Sequence, residues 1–161
     1  MIARLVRSAD FERVLRTRTR VNSLHFAVHH VADRPGAPAK PARKAVPGEL
    51  STGELRIEVP PVDDSGPAVD SLPVDAVWLG TVVPKRHARR SVTRSLLKRQ
   101  IRHAVTTHAA SLAAGLWVVR LRAPFDRSRF VSAASDELRR VAREELDSLI
   151  GSAARRVAVG A

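Results

Sequence analysis

The chain contains no cysteine, which excludes a disulfide framework, a thiolate metal site and a cysteine nucleophile. Aromatic residues make up only 4% of its 161 residues while hydrophobic residues reach 44%, so a core must rest mainly on Val, Leu, Ala and Ile. That is material for one domain, and two would be cramped. No segment approaches the ~18 consecutive apolar residues of a membrane span, and the opening MIARLVRS lacks the apolar run of a signal peptide. The expectation is a soluble, cytoplasmic protein. Gly80 and Gly115 stand isolated, so no phosphate-cradling loop is present. The Asp63–Asp64 pair falls in proline-rich sequence, a poor place to preorganise a metal, and Asp10 and Glu12 read as first-turn helix acids. Nothing in the sequence supports an active site carried by the protein itself.

Acid is missing from one long stretch. Between Asp75 and Asp126 there is no carboxylate, whereas the whole chain carries 28 Lys or Arg and a formal charge of +12. A charge of that size is an argument about partners, and a polyanion is the natural one. The segment from Asp126 to Asp147 mixes both signs, so the basic character belongs to one element or one face.

Ser8 is placed to cap a short first helix to about Arg16, with Phe11, Val14 and Leu15 at helical spacing. LHFAVHHV (Leu24–Val31) reads as a strand with Phe26, Val28 and His30 on one face and Ala27, His29 and Val31 on the other. Residues from about 33 to 73 have the composition of a disordered or extended connection, within which ELRIEV (Glu54–Val59) alternates as an extra edge strand would. AVWLGTVVP (Ala76–Pro84) is a second strand. A basic helix follows from Pro84 towards Ala113, stopped by Gly115, and LWVVRLR (Leu116–Arg122) is a third strand. Ser135 then caps a last helix whose stripe is Leu138, Val141, Ala142, Leu146 and Leu149. The order is helix, strand, insert, strand, helix, strand, helix: an α+β fold, a small sandwich of helices on a sheet. Residues 1–150 form a single domain interrupted by the insert, and 151–161 read as a flexible tail.

The basic helix carries the functional signal. Leu97, Ile101, Ala104 and Val105 form an apolar seam, and Arg90, Arg94, Lys98 and Arg102, spaced four apart, form a ridge beside it. Like charges at i,i+4 destabilise an isolated helix by a few tenths of a kcal/mol per pair, and no acid here offsets them. A solvated face would mix Glu with Lys. A membrane-surface helix would need bulky apolar residues opposite the charges. Nucleic acid fits better; no helix-turn-helix, zinc-finger or basic-zipper pattern is present, which favours RNA, although composition alone does not separate RNA from DNA.

LGTVVPKRHARRSVTRSLLKRQIR, together with RLVRSADFERVLR near the N-terminus, resembles the bacterial ribonuclease P protein family over about Arg4–Val31 and Ala76–Leu149. The resemblance implies a fold like ribosomal protein S5 domain 2 and an RNA-binding domain. It also implies a role as subunit of a ribonucleoprotein endoribonuclease in which a catalytic RNA subunit holds Mg²⁺ and cleaves precursor tRNA, with no obligate protein partner and no membrane. Its helix motif, Arg-Asn-Arg-hydrophobe-Lys-Arg, falls on Arg94, Ser95, Leu96, Leu97, Lys98 and Arg99. Ser95 and Leu96 depart from it. Contact with the catalytic RNA would then rest on Arg89, Arg90, Arg94, Ser95 and Arg99. A cleft for the 5′ leader of precursor tRNA would rest on Phe11, Leu15, His29, Arg86, Lys98 and Arg102, with Phe11 and His29 stacking on unpaired bases. The rival readings are a structural RNA-binding protein of ribosomal or assembly type and a conventional metal-dependent nuclease.

Overall fold

The structure, a computed structural model, describes residues 1–36 and 75–160. The expected edge strand at Glu54–Val59 and the Asp63–Asp64 pair lie outside the described residues. Five strands make one sheet in the order β1-β4-β5-β3-β2: β1 (Ile2–Arg4), β2 (Val21–Asn22), β3 (Phe26–Val31), β4 (Val77–Val82) and β5 (Gly115–Leu121). β1 and β5 both run parallel to β4, while β3 is antiparallel to β5 and to β2.

The period-2 alternation of the strands assigns their two faces. Phe26 and Val28 of β3, Val77 and Leu79 of β4, and Trp117, Val119 and Leu121 of β5 meet α2 (Ser91–Thr107) and α3 (Asp136–Val159) in the larger core. Trp78, Leu116 and Val118 point the other way and meet α1 (Ser8–Arg16) through Val14, with Phe11, Leu15 and Val31 at its margin. The helix–strand order and the face assignment of β3 follow the sequence reading.

Four departures have physical causes. β1 and β2 are too short to show a periodic pattern and exist because neighbouring strands offer backbone partners. α1 begins at Ser8 itself, with Arg7 in the cap position and no side-chain cap, so Ser8 is not the capping residue. α2 begins at Ser91, because Pro84–Arg90 is held in turns by the His87 and Ala88 amides donating to the Pro84 carbonyl. It ends at Thr107, and Gly115 opens β5 at φ 130°, a conformation whose Cβ would stand 2.4 Å from the Val31 carbonyl oxygen. Finally, the expected tail is helix: α3 runs through Gly151 to Val159 and buries Ala153, Ala154 and Val157. The cost of about 1 kcal/mol for a helical glycine is outweighed by that burial. Ser135 does cap α3, accepting from the Leu138 amide at 3.1 Å.

Candidate nucleic-acid interface

α2 carries Arg94, Lys98, Arg99 and Arg102 and no acid. Its buried side is Leu96, Leu97, Gln100, Ile101, Ala104 and Val105, an arc of roughly 180° at ~100° per residue. Ser95, Lys98, Arg99 and Arg102 occupy the exposed arc. Leu96 is only 1% exposed and joins Leu138, Ala142 and Leu146 in the core between α2 and α3. The position where the resembled motif has its second arginine is thus a packing position in this chain.

Arg94 is half-buried and bonded to backbone: its Nη1 donates to the carbonyls of Ala88 at 3.0 Å and Arg89 at 2.7 Å. It staples the Pro84–Arg90 turn to the helix, so the expected continuous ridge is interrupted there. Arg89 and Arg90 are exposed, and one Arg90 nitrogen donates to the Val131 carbonyl at 3.2 Å.

The residues expected in the second cleft do not all converge. Phe11, Lys98 and Arg102 line one groove of about 270 Å³ over the free edge of the sheet, with Arg4 and Thr81 beside them. The edge strand β1 pairs on one side only, and its residues Ile2, Ala3 and Arg4 all line this groove. Phe11 sits against Gly80, where a Cβ would come within 2.4 Å of its ring. The glycine lets the ring settle onto the strand. No acid lines the groove, and among the described residues no ion pair engages Arg4, Lys98 or Arg102.

Leu15, His29 and Arg86 lie elsewhere. Leu15 is half-buried in the α1 cluster. His29 is 3% exposed, with Nδ1 3.1 Å from the Thr17 carbonyl oxygen. Burial holds its pKa below the ordinary histidine value and the Arg120 charge lowers it further, against the opposing Thr17 carbonyl. A ring so enclosed cannot stack on a base, and that expectation is corrected. Arg86 lies before α2, on a different recess that it shares with Arg89 and Arg127.

Arg4, Thr81 and Thr106 complete the groove, and the sequence pattern does not single them out. β1 is too short to announce itself, and the helical spacing of Thr106 from Arg102 is the one signal available. Among the described residues no group of three or more His, Asp or Glu is arranged to hold a metal, and no helix is long and apolar enough to cross a membrane.

Comparison with known proteins matches residues 2–145 to the family described as Ribonuclease P. The ribonuclease P protein component of Burkholderia pseudomallei (strain 1106a) is 42% identical over 80 residues, covering 50% of this chain and 59% of that protein. The one from Paraburkholderia xenovorans (strain LB400) is 37% identical over 79 residues, covering 49% and 57%. The chain thus spans under two thirds of the length of these relatives. The Staphylococcus aureus RNase P protein superposes with a TM-score of 0.53 at 16% identity, covering 92% of each chain, a likeness of fold.

Proposed function

This chain belongs to the ribonuclease P protein family, and from that membership we propose that it acts as the protein subunit of a ribonuclease P. In this reading it binds the catalytic RNA and the 5′ leader of precursor tRNA, and it assists Mg²⁺-dependent removal of the leader. The observation that carries the reading is the acid-free groove in which Phe11, Lys98 and Arg102 meet beside the open edge of β1. An unpaired strand needs cations for its phosphates and a ring for its bases, and the groove offers Lys98, Arg102 and Arg4 for the first and Phe11 for the second. Exposed Arg89, Arg90, Ser95 and Arg99 would meet the catalytic RNA, with Arg94 holding the turn that presents Arg89.

The ions and the hydrolytic step belong to the RNA subunit in this mechanism. The protein contributes substrate affinity and neutralises phosphate repulsion, which lowers the Mg²⁺ concentration the RNA enzyme requires. Leu15 packs in the same apolar cluster as Phe11.

Processing of precursor tRNA at low Mg²⁺, with and without the catalytic RNA, tests this. Stimulation of the RNA is expected. No stimulation would favour a structural RNA-binding protein, and cleavage by the protein alone would favour a conventional nuclease; either overturns the reading. Lys98→Ala with Arg102→Ala should weaken precursor binding more than mature tRNA binding. It should also lower the salt slope of precursor binding by about 0.7 for each phosphate that is no longer neutralised. Equal weakening on both RNAs would remove the leader from the groove.

A further inference from the structure

His25 is the best-positioned polar side chain that the groove does not use. Its Nδ1 lies 2.7 Å from Glu145 Oε2, and its own amide donates to Glu145 Oε1 at 2.7 Å. The Ser23 hydroxyl donates to the same carboxylate. Burial pushes the Glu145 carboxyl up, but the Ser23 hydroxyl and the His25 amide and ring outweigh it, and the net direction is down. Glu145 is therefore an anion held on α3, and it fixes the imidazole proton on Nδ1. One face of the ring stacks on Phe125, with centroids 3.9 Å apart and planes at 12°. Phe125 is itself braced edge-on by Phe26 and Phe130. With Nδ1 engaged and the plane fixed, the edge of the ring left for a ligand is the Nε2 edge.

His25 lines a recess of about 570 Å³ whose cationic residues are Arg86, Arg89 and Arg127. It shares no lining residue with the Phe11–Lys98–Arg102 groove. Among the described residues none of the three arginines is engaged in an ion pair. Arg86 donates its Nε to His87 Nε2 at 3.2 Å, which leaves both terminal nitrogens of its guanidinium for an anion. Asp126 stands on the same rim, but its Oδ1 is occupied by the Ser128 amide at 2.9 Å and hydroxyl at 2.7 Å. His87 lines the recess as well, and its apolar lining includes Leu24, 76% exposed, and Pro124.

We propose that this recess is a second RNA site, a pocket for one unpaired nucleotide. Arg86, Arg89 and Arg127 take its phosphates, Leu24 and Pro124 its base, and the His25 Nε2 edge hydrogen-bonds the base edge or a ribose hydroxyl. A bare anion would use the arginines and leave the apolar Leu24 and Pro124 unused. The space lies within the ~300–1,000 Å³ range of pockets for small organic ligands. Glu145 and Arg94 are positioning residues: one orients the imidazole, the other pins the backbone that carries Arg89. The ligand class rests on the RNA-binding reading above; the site does not overlap the groove on which that reading turns.

The test is a titration of the full chain with the trinucleotide ApApA, with adenosine and with inorganic phosphate, following the NMR signals of His25, Leu24 and Phe125. ApApA should shift them saturably, with a Kd at least tenfold below that of phosphate or adenosine. Arg127→Ala should weaken this binding at least fivefold and His25→Gln at least threefold, whereas Lys98→Ala with Arg102→Ala should leave it unchanged. Arg127 is exposed, so its loss does not endanger the fold. Phosphate binding as tightly as ApApA would reduce the recess to an anion site and overturn the proposal. Shifts that vanish in the Lys98→Ala, Arg102→Ala protein would overturn it as well, because the signal would then come from the groove. Low-Mg²⁺ stimulation without ApApA binding would sink this pocket alone, and binding without stimulation would sink the subunit reading alone.

Discussion

Leu96→Arg would restore the arginine that the resembled helix motif has at this position, and the packing says it should harm the protein. Leu96 is 1% exposed within the core formed by α2 and α3. Removing its buried side chain forfeits about 1.5–3 kcal/mol of apolar burial. The guanidinium adds a desolvation cost that its long stem only partly relieves by reaching for solvent. A total of about 3–5 kcal/mol follows, a large part of the ~5–15 kcal/mol that holds a domain together. With a urea slope of about 2 kcal/mol/M, the unfolding midpoint should fall by roughly 1.5–2.5 M. Leu96→Met, which nearly conserves volume, should cost under about 1.5 kcal/mol. The assay is equilibrium urea unfolding followed by far-UV circular dichroism, paired with RNA binding measured well below the midpoint. An unchanged midpoint together with tighter RNA binding would refute the reasoning, because Leu96 would then have to face the RNA.

Glu145→Gln should reduce stability by about 1–2 kcal/mol at pH 7, since it weakens charge-assisted bonds from Ser23 and His25. The folded state holds this carboxyl below its ordinary value, so its contribution is complete above pH ~4.3 and is lost as pH falls through the folded pKa. The gap between wild type and variant should therefore close in acid, and thermal melts from pH 7 to pH 3 that stay parallel would contradict this. Ending the chain after Ile150 removes buried Ala153, Ala154 and Val157 and the bond from Arg156 to the Arg20 carbonyl. It should cost up to about 4 kcal/mol at ~0.8 kcal/mol per buried carbon, and a melting temperature that does not move would show the last turns of α3 to be dispensable.

Local pattern carries the main elements because each needs only its own residues. Phe11 and Val14 mark α1, the alternation from Phe26 to Val31 gives β3 its two faces, and Ser135 announces α3 through a bond within its own first turn. Elements that depend on distant partners are illegible in the sequence. β1 is three residues set beside β4, and the His25–Glu145 pair joins positions 120 residues apart. The basic side of α2 is legible as chemistry, but assignment by motif position misplaces Arg94, whose guanidinium serves the turn before the helix. His29 is misplaced because alternation says which face a residue takes and not what covers that face. Gly151 reads as a stop because a glycine penalty is local, whereas the burial that outweighs it comes from the rest of the fold.

The sheet order has a consequence for synthesis on the ribosome. β3 and β4 never touch as neighbours; β5, the last strand in the chain, lies between them and joins them. A nascent chain that has released β3 and β4 therefore holds two incomplete half-sheets with open edges until Leu121 emerges. Closure then requires pairing across long sequence separation, which slows folding. The same arrangement lets the sequence between β3 and β4 lengthen without parting two hydrogen-bonded neighbours, because the strand that joins them comes later in the chain.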